Sequence, residues 1–314
     1  MINIYYRISS NSYKKGKLPG CTKELCLKNF LENVYEPSLS YCGVGLPYVN
    51  SDINMRIIAD NCSSELIGCI NAACSPYEKV EVRETSNGNA GSFIYCVEDA
   101  ISPVATIDAA SNVRFRDKDD IVYFVEDDYL HKCHDYENPN HPKLLDTLKE
   151  GLSIADYSTL YDHPDKYMSQ YEFGEFSKVL KTPSSHWKHS ISTTMTFAAK
   201  VKTIKEDLEI WKKWTDGTHP RDHSAFEELA SKGRNLSVAI PGLAVHTDLT
   251  HSEHTYSEHS GSILIDTWAI NLVEREILKD IKDPPWHVFE KAETPLNRLM
   301  MIEAFALLNK QGKL

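Results

Sequence analysis

The stretch Asp119–Cys133, DDIVYFVEDDYLHKC, carries the reading of the fold. Ile121 to Val125 is an unbroken run of β-branched and aromatic residues, the pattern of a buried strand. It runs directly into Glu126, Asp127 and Asp128. Like charges at that spacing repel, and desolvating them is costly. The cluster therefore predicts positive charge at the strand end, supplied by side chains or by a cation. The plain alternative is a solvated acidic turn, against which stand the flanking aromatics Phe124 and Tyr129.

Working outward, strand and helix signals alternate. INIYYRIS (Ile2–Ser9) reads as a strand. TKELCLKNFLENVY (Thr22–Tyr35) reads as a helix capped by Thr22. NMRIIADN reads as a strand ending at Asp60, and SSELIGCINAAC as a helix capped by Ser63 or Ser64. EKVEVRET is a third strand, NGNAGSFIYCVEDAI a helix opened by glycines, and DIVYFV the fourth strand. This order predicts an α/β fold with a mostly parallel, Rossmann-like sheet flanked by helices. Ligands of such sheets bind beyond the carboxyl ends of the strands, and Asp60, the TSNGNAG loop and the acidic cluster all fall there.

The later part is less regular. A short helix is expected around Leu144–Leu152, and FSKVLKT and HWKHSISTTMTFAAK as two strands. TIKEDLEIWKKWTDG and DHSAFEELASKG are expected as helices, LSVAIPGLAVHTD as a strand broken at Pro241-Gly242, and PLNRLMMIEAFALLNKQGKL as a helix. Three regions follow: 1–135, then 136–260 within the same domain, and 261–314 as a helical extension. The last helix places Leu299, Ile302, Phe305 and Leu308 on one side, to pack on the core, on a second subunit or, least expected given its few basic residues, on a membrane surface.

The 314 residues are 41% hydrophobic and 25% charged, ordinary for a globular chain. The net charge of −11 argues against nucleic-acid binding. No stretch has the length of apolar sequence that a membrane span needs, and MINIYYRISSNSYKKGK lacks the apolar region of a signal peptide. The eight cysteines form no CxxC pair, so reduced thiols in a cytoplasmic protein are expected rather than a zinc site.

A hard divalent cation, Mg²⁺ or Mn²⁺, takes carboxylate oxygens and shares them with substrate phosphates. With that chemistry in view, the ordered set INIYYRIS, IIADN, SNGNAGSF, VYFVEDDY, DHSAF and GLAVH resembles the nucleotide-sugar-dependent glycosyltransferases of the GT-A fold. The likeness covers residues 1–250 and leans toward bacterial and large-DNA-virus enzymes that build surface polysaccharides or glycans. It implies transfer of a sugar from a nucleoside diphosphate donor, with UDP expected, to a hydroxyl of a glycan or lipid-linked glycan.

The resemblance also implies roles. Tyr6 and Arg7 would border the nucleotide, and Asp60 would accept a hydrogen bond from the base, unless it caps the following helix. Asn87, Gly88, Asn89 and Gly91 would let the backbone approach the donor, or else simply make the turn into a helix. Asp128 would hold the metal, Asp127 the ribose or the metal, and His246 would complete the metal shell, if it is not an ordinary polar residue at a strand end. Asp222 would be the base that takes the acceptor proton, as inversion requires, though Asp also suits a helix N-cap. Trp187 and His189, with His186 and Lys188, would meet the acceptor, the plainer role of Trp187 being a cross-strand aromatic. His251, His254 and His259 read as loop residues. The rivals are a sugar-nucleotide nucleotidyltransferase or pyrophosphorylase, weakened by the few glycines in SSNSYKKGKLPG, and a non-catalytic glycan-binding homologue.

Overall fold

Strand β1 (Ile2–Ser9) sits at the middle of the architecture, with both of its faces buried. Ile4, Tyr6 and Ile8 point into one core cluster and Tyr5 into the other. The computed structural model describes residues 1–10, 17–39, 52–107, 113–138, 140–167, 177–247 and 267–312.

The elements follow β1 in this order: α1 (Lys23–Phe30), β2 (Ile53–Asp60), α2 (Ser64–Cys74), β3 (Val80–Thr85), α3 (Gly88–Ile101), β4 (Val104–Ile107), β5 (Val113–Phe115), β6 (Ile121–Glu126) and β7 (Tyr129–His131). Then come α4 (Leu144–Ile154), β8 (Tyr157–Thr159), β9 (Val179–Lys181), β10 (His186–Ser190), β11 (Phe197–Lys200), α5 (Val201–Glu206), α6 (Leu208–Trp214) and α7 (Asp222–Ser231). The chain continues through β12 (Leu236–Ile240), β13 (Ala244–His246), α8 (Thr267–Leu278), α9 (Trp286–Phe289) and α10 (Pro295–Lys310).

Nine strands form one sheet in the order β3-β2-β1-β6-β11-β8-β12-β10-β9. β3, β2, β1 and β6 pair in parallel, as do β8 and β12. Only β11 and β10 run against the others. This is the expected α/β fold with a mostly parallel sheet. One face is covered by apolar residues of α1, α2 and α4, the other by those of α3, α5, α6 and α7. Each fully buried Ile, Phe or Leu in these layers contributes about 1.5–3 kcal/mol. The caps expected at Thr22 and Ser63 are made: their hydroxyls accept from the N–H groups of Leu25 and Leu66 at 3.1 and 3.2 Å.

Four expectations need correction. The hairpin β4–β5 lies between α3 and β6, where no strand was expected. HWKHSISTTMTFAAK is two strands, and they are not neighbours: β10 pairs with β9 and β12, β11 with β6 and β8. TIKEDLEIWKKWTDG breaks at Asp207 into α5 and α6. That carboxylate is held by the Tyr157 hydroxyl at 2.7 Å and by Arg234 at 2.8 Å, which fixes the backbone off the helical path. In α10, Leu299 and Ile302 are buried but Leu308 is exposed. The helix packs on α8, which in turn meets Leu18, Leu25, Leu130 and Val245.

Candidate functional site

The carboxyl ends of β1, β2 and β6 open into a cleft of about 270 Å³, lined among others by Arg7, Lys23, Asp60, Asn89, Glu126 and Asp128. The parallel register explains the convergence: Arg7 lies opposite both Ile58 and Glu126, so the strands end level with one another. Thr218 and His219, in the turn between α6 and α7, close another side. That turn is tied to the start of α3 by Ala90 N–H donating to the Thr218 carbonyl at 3.3 Å.

The question raised by three adjacent acids has a direct answer, because each has its own cationic or imidazole partner. Glu126 Oε1 meets Arg7 Nη2 at 2.9 Å. Asp127 Oδ2 meets Lys23 Nζ at 2.5 Å and accepts from the Ser9 N–H at 2.9 Å. Asp128 Oδ2 meets His246 Nε2 at 3.2 Å. Arg7 also donates to the Asn89 carbonyl and side-chain oxygens at 3.1 and 2.9 Å and lies over the Phe93 ring. Asp127 thus joins β1, α1 and β6.

The electrostatics differ within the cluster. Burial pushes the Glu126 carboxyl up to about 7, against the pull of Arg7. Burial also raises Asp127, opposed by Lys23. For Asp128 burial works in the same sense, but the imidazole of His246, with Lys17 and Lys23 behind it, outweighs it and holds the carboxyl below the usual carboxylate range.

Local structure accounts for the aim of Asp128. In the β7–β13 ladder His246 lies opposite Tyr129, its ring tilted 50° against the Tyr129 ring at 4.8 Å between centroids. The Thr247 N–H and hydroxyl both donate to the Asp128 carbonyl, at 2.8 and 2.9 Å. The backbone is fixed, and Asp128 Oδ1 remains buried with no hydrogen-bond partner. An orphaned carboxylate oxygen is costly unless something else meets it. Glu126 and Asp127 are already matched by Arg7 and Lys23, so a divalent cation fits at Asp128 and His246. Among the described residues no group of three His, Cys, Asp or Glu side chains could hold a metal ion. Two protein ligands with the remainder from phosphate and water is the usual arrangement for Mg²⁺, and a mixed oxygen and imidazole set suits Mn²⁺ as well.

Asp60 is buried, and its oxygens are largely occupied. Oδ1 accepts from the Thr85 hydroxyl at 2.9 Å and the Asn87 N–H at 2.6 Å, and Oδ2 from the Asn61 amide at 2.9 Å. It braces the β3–α3 turn rather than capping α2, where Ser63 serves. In that turn Gly88 has φ +75°, a conformation open to glycine at little cost. Asn89 lines the cleft through its contact with Arg7; Asn87, at the N-cap position, makes no side-chain cap bond and does not line it.

Two residues expected in the site are core residues instead. Tyr6 is fully buried on the α1 face of the sheet, 5.2 Å from the Phe30 ring, because alternation along β1 sends it away from Arg7. Trp187 is fully buried beneath α4, its indole N–H bound to Thr182 Oγ1 at 2.8 Å. His189, on β10, is half-buried and outside the cleft lining. Asp222 is the first residue of α7, with Arg221 at the cap position, so it is not the N-cap. Its Oδ1 accepts from the His223 N–H at 2.7 Å, and its charge is felt at Glu126. His251, His254 and His259 lie outside the described residues.

The sequence reading did not single out Lys17 and Lys23, although both line the cleft. Lys23 follows the helix cap directly, a position that points to solvent as often as to a ligand. Only the pairing with Asp127, 104 residues away, gives it meaning.

No protein-family model matches the chain, and no curated protein does. Solved structures similar to it include the WbbM bifunctional glycosyltransferase, at 11% identity and TM-score 0.39, over 72% of this chain and 36% of that one. Residues 1–349 of TarS from S. aureus give 11% identity and TM-score 0.45, over 99% and 91%. The mannosyltransferase PcManGT from Pyrobaculum calidifontis, in complex with GDP-Man and Mn²⁺, gives 10% and 0.41, over 99% and 86%. The chain thus spans about a third of WbbM. Likenesses of this degree carry no argument about activity, which has to come from the cleft.

Proposed function

We propose that the chain is a metal-dependent glycosyltransferase of GT-A type. It would move a sugar from a nucleoside diphosphate donor, UDP-linked by preference, to a hydroxyl of a glycan or lipid-linked glycan. One observation carries the reading. At the carboxyl ends of parallel strands, Asp128 presents a buried, unpartnered oxygen beside His246, while Arg7 and Lys23 already neutralise the neighbouring acids.

In this reading Asp128 and His246 hold Mn²⁺ or Mg²⁺, which when bound supplies positive charge where the leaving diphosphate becomes more negative. Lys17 and Lys23 add cationic side chains to the same cleft. The β3–α3 turn, braced by Asp60 and opened by Gly88, lets backbone approach the donor, and Asn89 is held in place by Arg7. Asp127 acts as the latch among β1, α1 and β6. Asp222, half-buried at the head of α7, is the proton acceptor for the attacking hydroxyl, which makes the transfer inverting. The regions 1–135 and 136–260 divide donor from acceptor recognition within one sheet, and His189 lies on the acceptor half.

The test is a melting curve with UDP, run with Mn²⁺ and with a chelator, beside an assay of UDP-sugar hydrolysis. Ligand that binds only the folded state stabilises it by mass action. The expected result is a shift with UDP and Mn²⁺ several times that with UDP and chelator, and slow hydrolysis only with metal. Equal shifts would remove the metal from the account. Release of pyrophosphate from a sugar phosphate and UTP would favour a nucleotidyltransferase, and binding without turnover a glycan-binding homologue.

A further inference from the structure

Cys21 and Cys26 stand apart from the other described cysteines, because their sulfurs lie 3.6 Å from each other. Cys21 is half-buried and just precedes the Thr22 cap; Cys26 is buried in the second turn of α1. Between them sits Lys23, whose ammonium holds Asp127 Oδ2 and the Ser9 carbonyl. We propose that Cys21 and Cys26 form a redox-active dithiol that a peroxide closes to a disulfide, and that closure draws Lys23 off Asp127.

The geometry supports both parts. A disulfide needs sulfurs about 2.05 Å apart, so the pair has about 1.5 Å to travel. That travel falls on a short cap and a single helical turn, and Lys23 rides on that turn. The hydrogen bond to Cys21, together with burial, raises the Cys26 thiol and keeps it protonated. Cys21, the more exposed sulfur, is therefore the one that meets the oxidant. Its thiolate attacks one peroxide oxygen, giving a sulfenic acid and releasing hydroxide, which leaves as water once protonated. Cys26 sulfur then attacks the sulfenic sulfur. The S–O bond breaks, the Cys26 proton leaves with the departing hydroxyl as a second water, and the S–S bond forms. Two thiols lose two electrons and the peroxide gains them. A thiol reductant of the glutathione class reverses the step.

Treatment of the folded chain with hydrogen peroxide, then tryptic digestion without reductant, tests the bond. Cleavage after Lys17, Lys23 and Lys28 places Cys21 and Cys26 on separate peptides. The expected product is the pair Leu18–Lys23 and Glu24–Lys28 joined and two hydrogens lighter than the reduced peptides together, and lost on reduction. Cys26→Ser should leave Cys21 as a sulfenic acid that dimedone traps, and a melting curve of that variant confirms that it folds. Independent oxidation of both sulfurs to sulfinic acids, or a link from Cys21 to another cysteine, overturns the dithiol. Acetic anhydride labelling of intact protein tests the coupling. Lys23 should acetylate several-fold faster in the oxidised form, with no such change in Cys21→Ser; equal rates overturn the release of Lys23.

Discussion

At the scale of single residues, the acidic cluster separates into two acids matched by cations and one, Asp128, that pairs with His246 through one oxygen and leaves the other open. Replacing Asp128 by Ala removes the oxygen that has no protein partner and the carboxylate that faces His246. The fold should survive, because the Asp128 carbonyl, which Thr247 holds, belongs to the backbone. The UDP shift in the presence of Mn²⁺ should fall to that seen with chelator, and turnover should vanish. A variant with near-normal turnover would place the metal elsewhere. Asp222→Asn asks a different question. Asn keeps an acceptor for the His223 N–H, so the first turn of α7 stays satisfied and melting should barely change. Turnover should drop by about 10²–10⁴-fold if Asp222 is the proton acceptor. A loss below about tenfold would point to another base or to a retaining mechanism.

At the scale of elements, legibility followed the period of the pattern. β1, β2 and β6 were readable because buried strands of a parallel sheet become largely apolar runs, β3 from its alternating valines, and Thr22 and the Ser63-Ser64 pair announced the helices between them. The start of α7 was readable too, whereas α6 stops at Trp214, short of the Gly217 at which the sequence placed its end. The short strands were not readable. β4 and β5 pair only with each other and span just four and three residues, and the break at Asp207 depends on Tyr157 and Arg234, which are distant in sequence. The site divides in the same way: the acids were visible as a motif, whereas Lys23 is defined only by tertiary pairing. Trp187 was expected at a ligand, but α4 covers it through Gly151. A methyl group at Gly151 would press on Ser158 Oγ and lie 2.7 Å from the Trp187 ring. Gly151→Ala should therefore cost about 1–3 kcal/mol from overpacking, lowering Tm by roughly 1.5–5 °C in a chain of this size. A neutral effect would mean that α4 sits farther from the sheet.

At the scale of the whole molecule, the described residues include no helix long and apolar enough to cross a membrane. The net charge of −11 is offset locally, with Arg7, Lys17 and Lys23 gathered on the one cleft that needs cations. His131, away from that cleft, adds its own pH dependence to global stability, opposite in sense to that of Glu126. Its imidazole is fully buried between Phe30 and Tyr123, and Nε2 shares a 2.9 Å hydrogen bond with the Tyr123 hydroxyl. Burial pushes its pKa down to about 3. The unfolded chain takes up this proton near pH 6.5 and the folded chain does not, so acid favours unfolding. The stability involved is fully present above about pH 6.5 and drains away as pH falls toward 3. At pH 4.5, two units below the unfolded value, the loss from this residue is about 2–3 kcal/mol. His131→Gln keeps an amide partner for Tyr123 but cannot titrate. Whatever the variant loses at neutral pH, its stability should fall by about 2–3 kcal/mol less than that of the parent between pH 7 and pH 4.5. Urea unfolding at the two pH values measures this difference of differences directly. Equal losses in the two proteins would show that His131 is protonated in the folded chain, and the acid sensitivity would then belong to carboxylates such as Asp99, which Tyr5, Arg56 and Arg83 hold below its usual range against the opposing effect of burial.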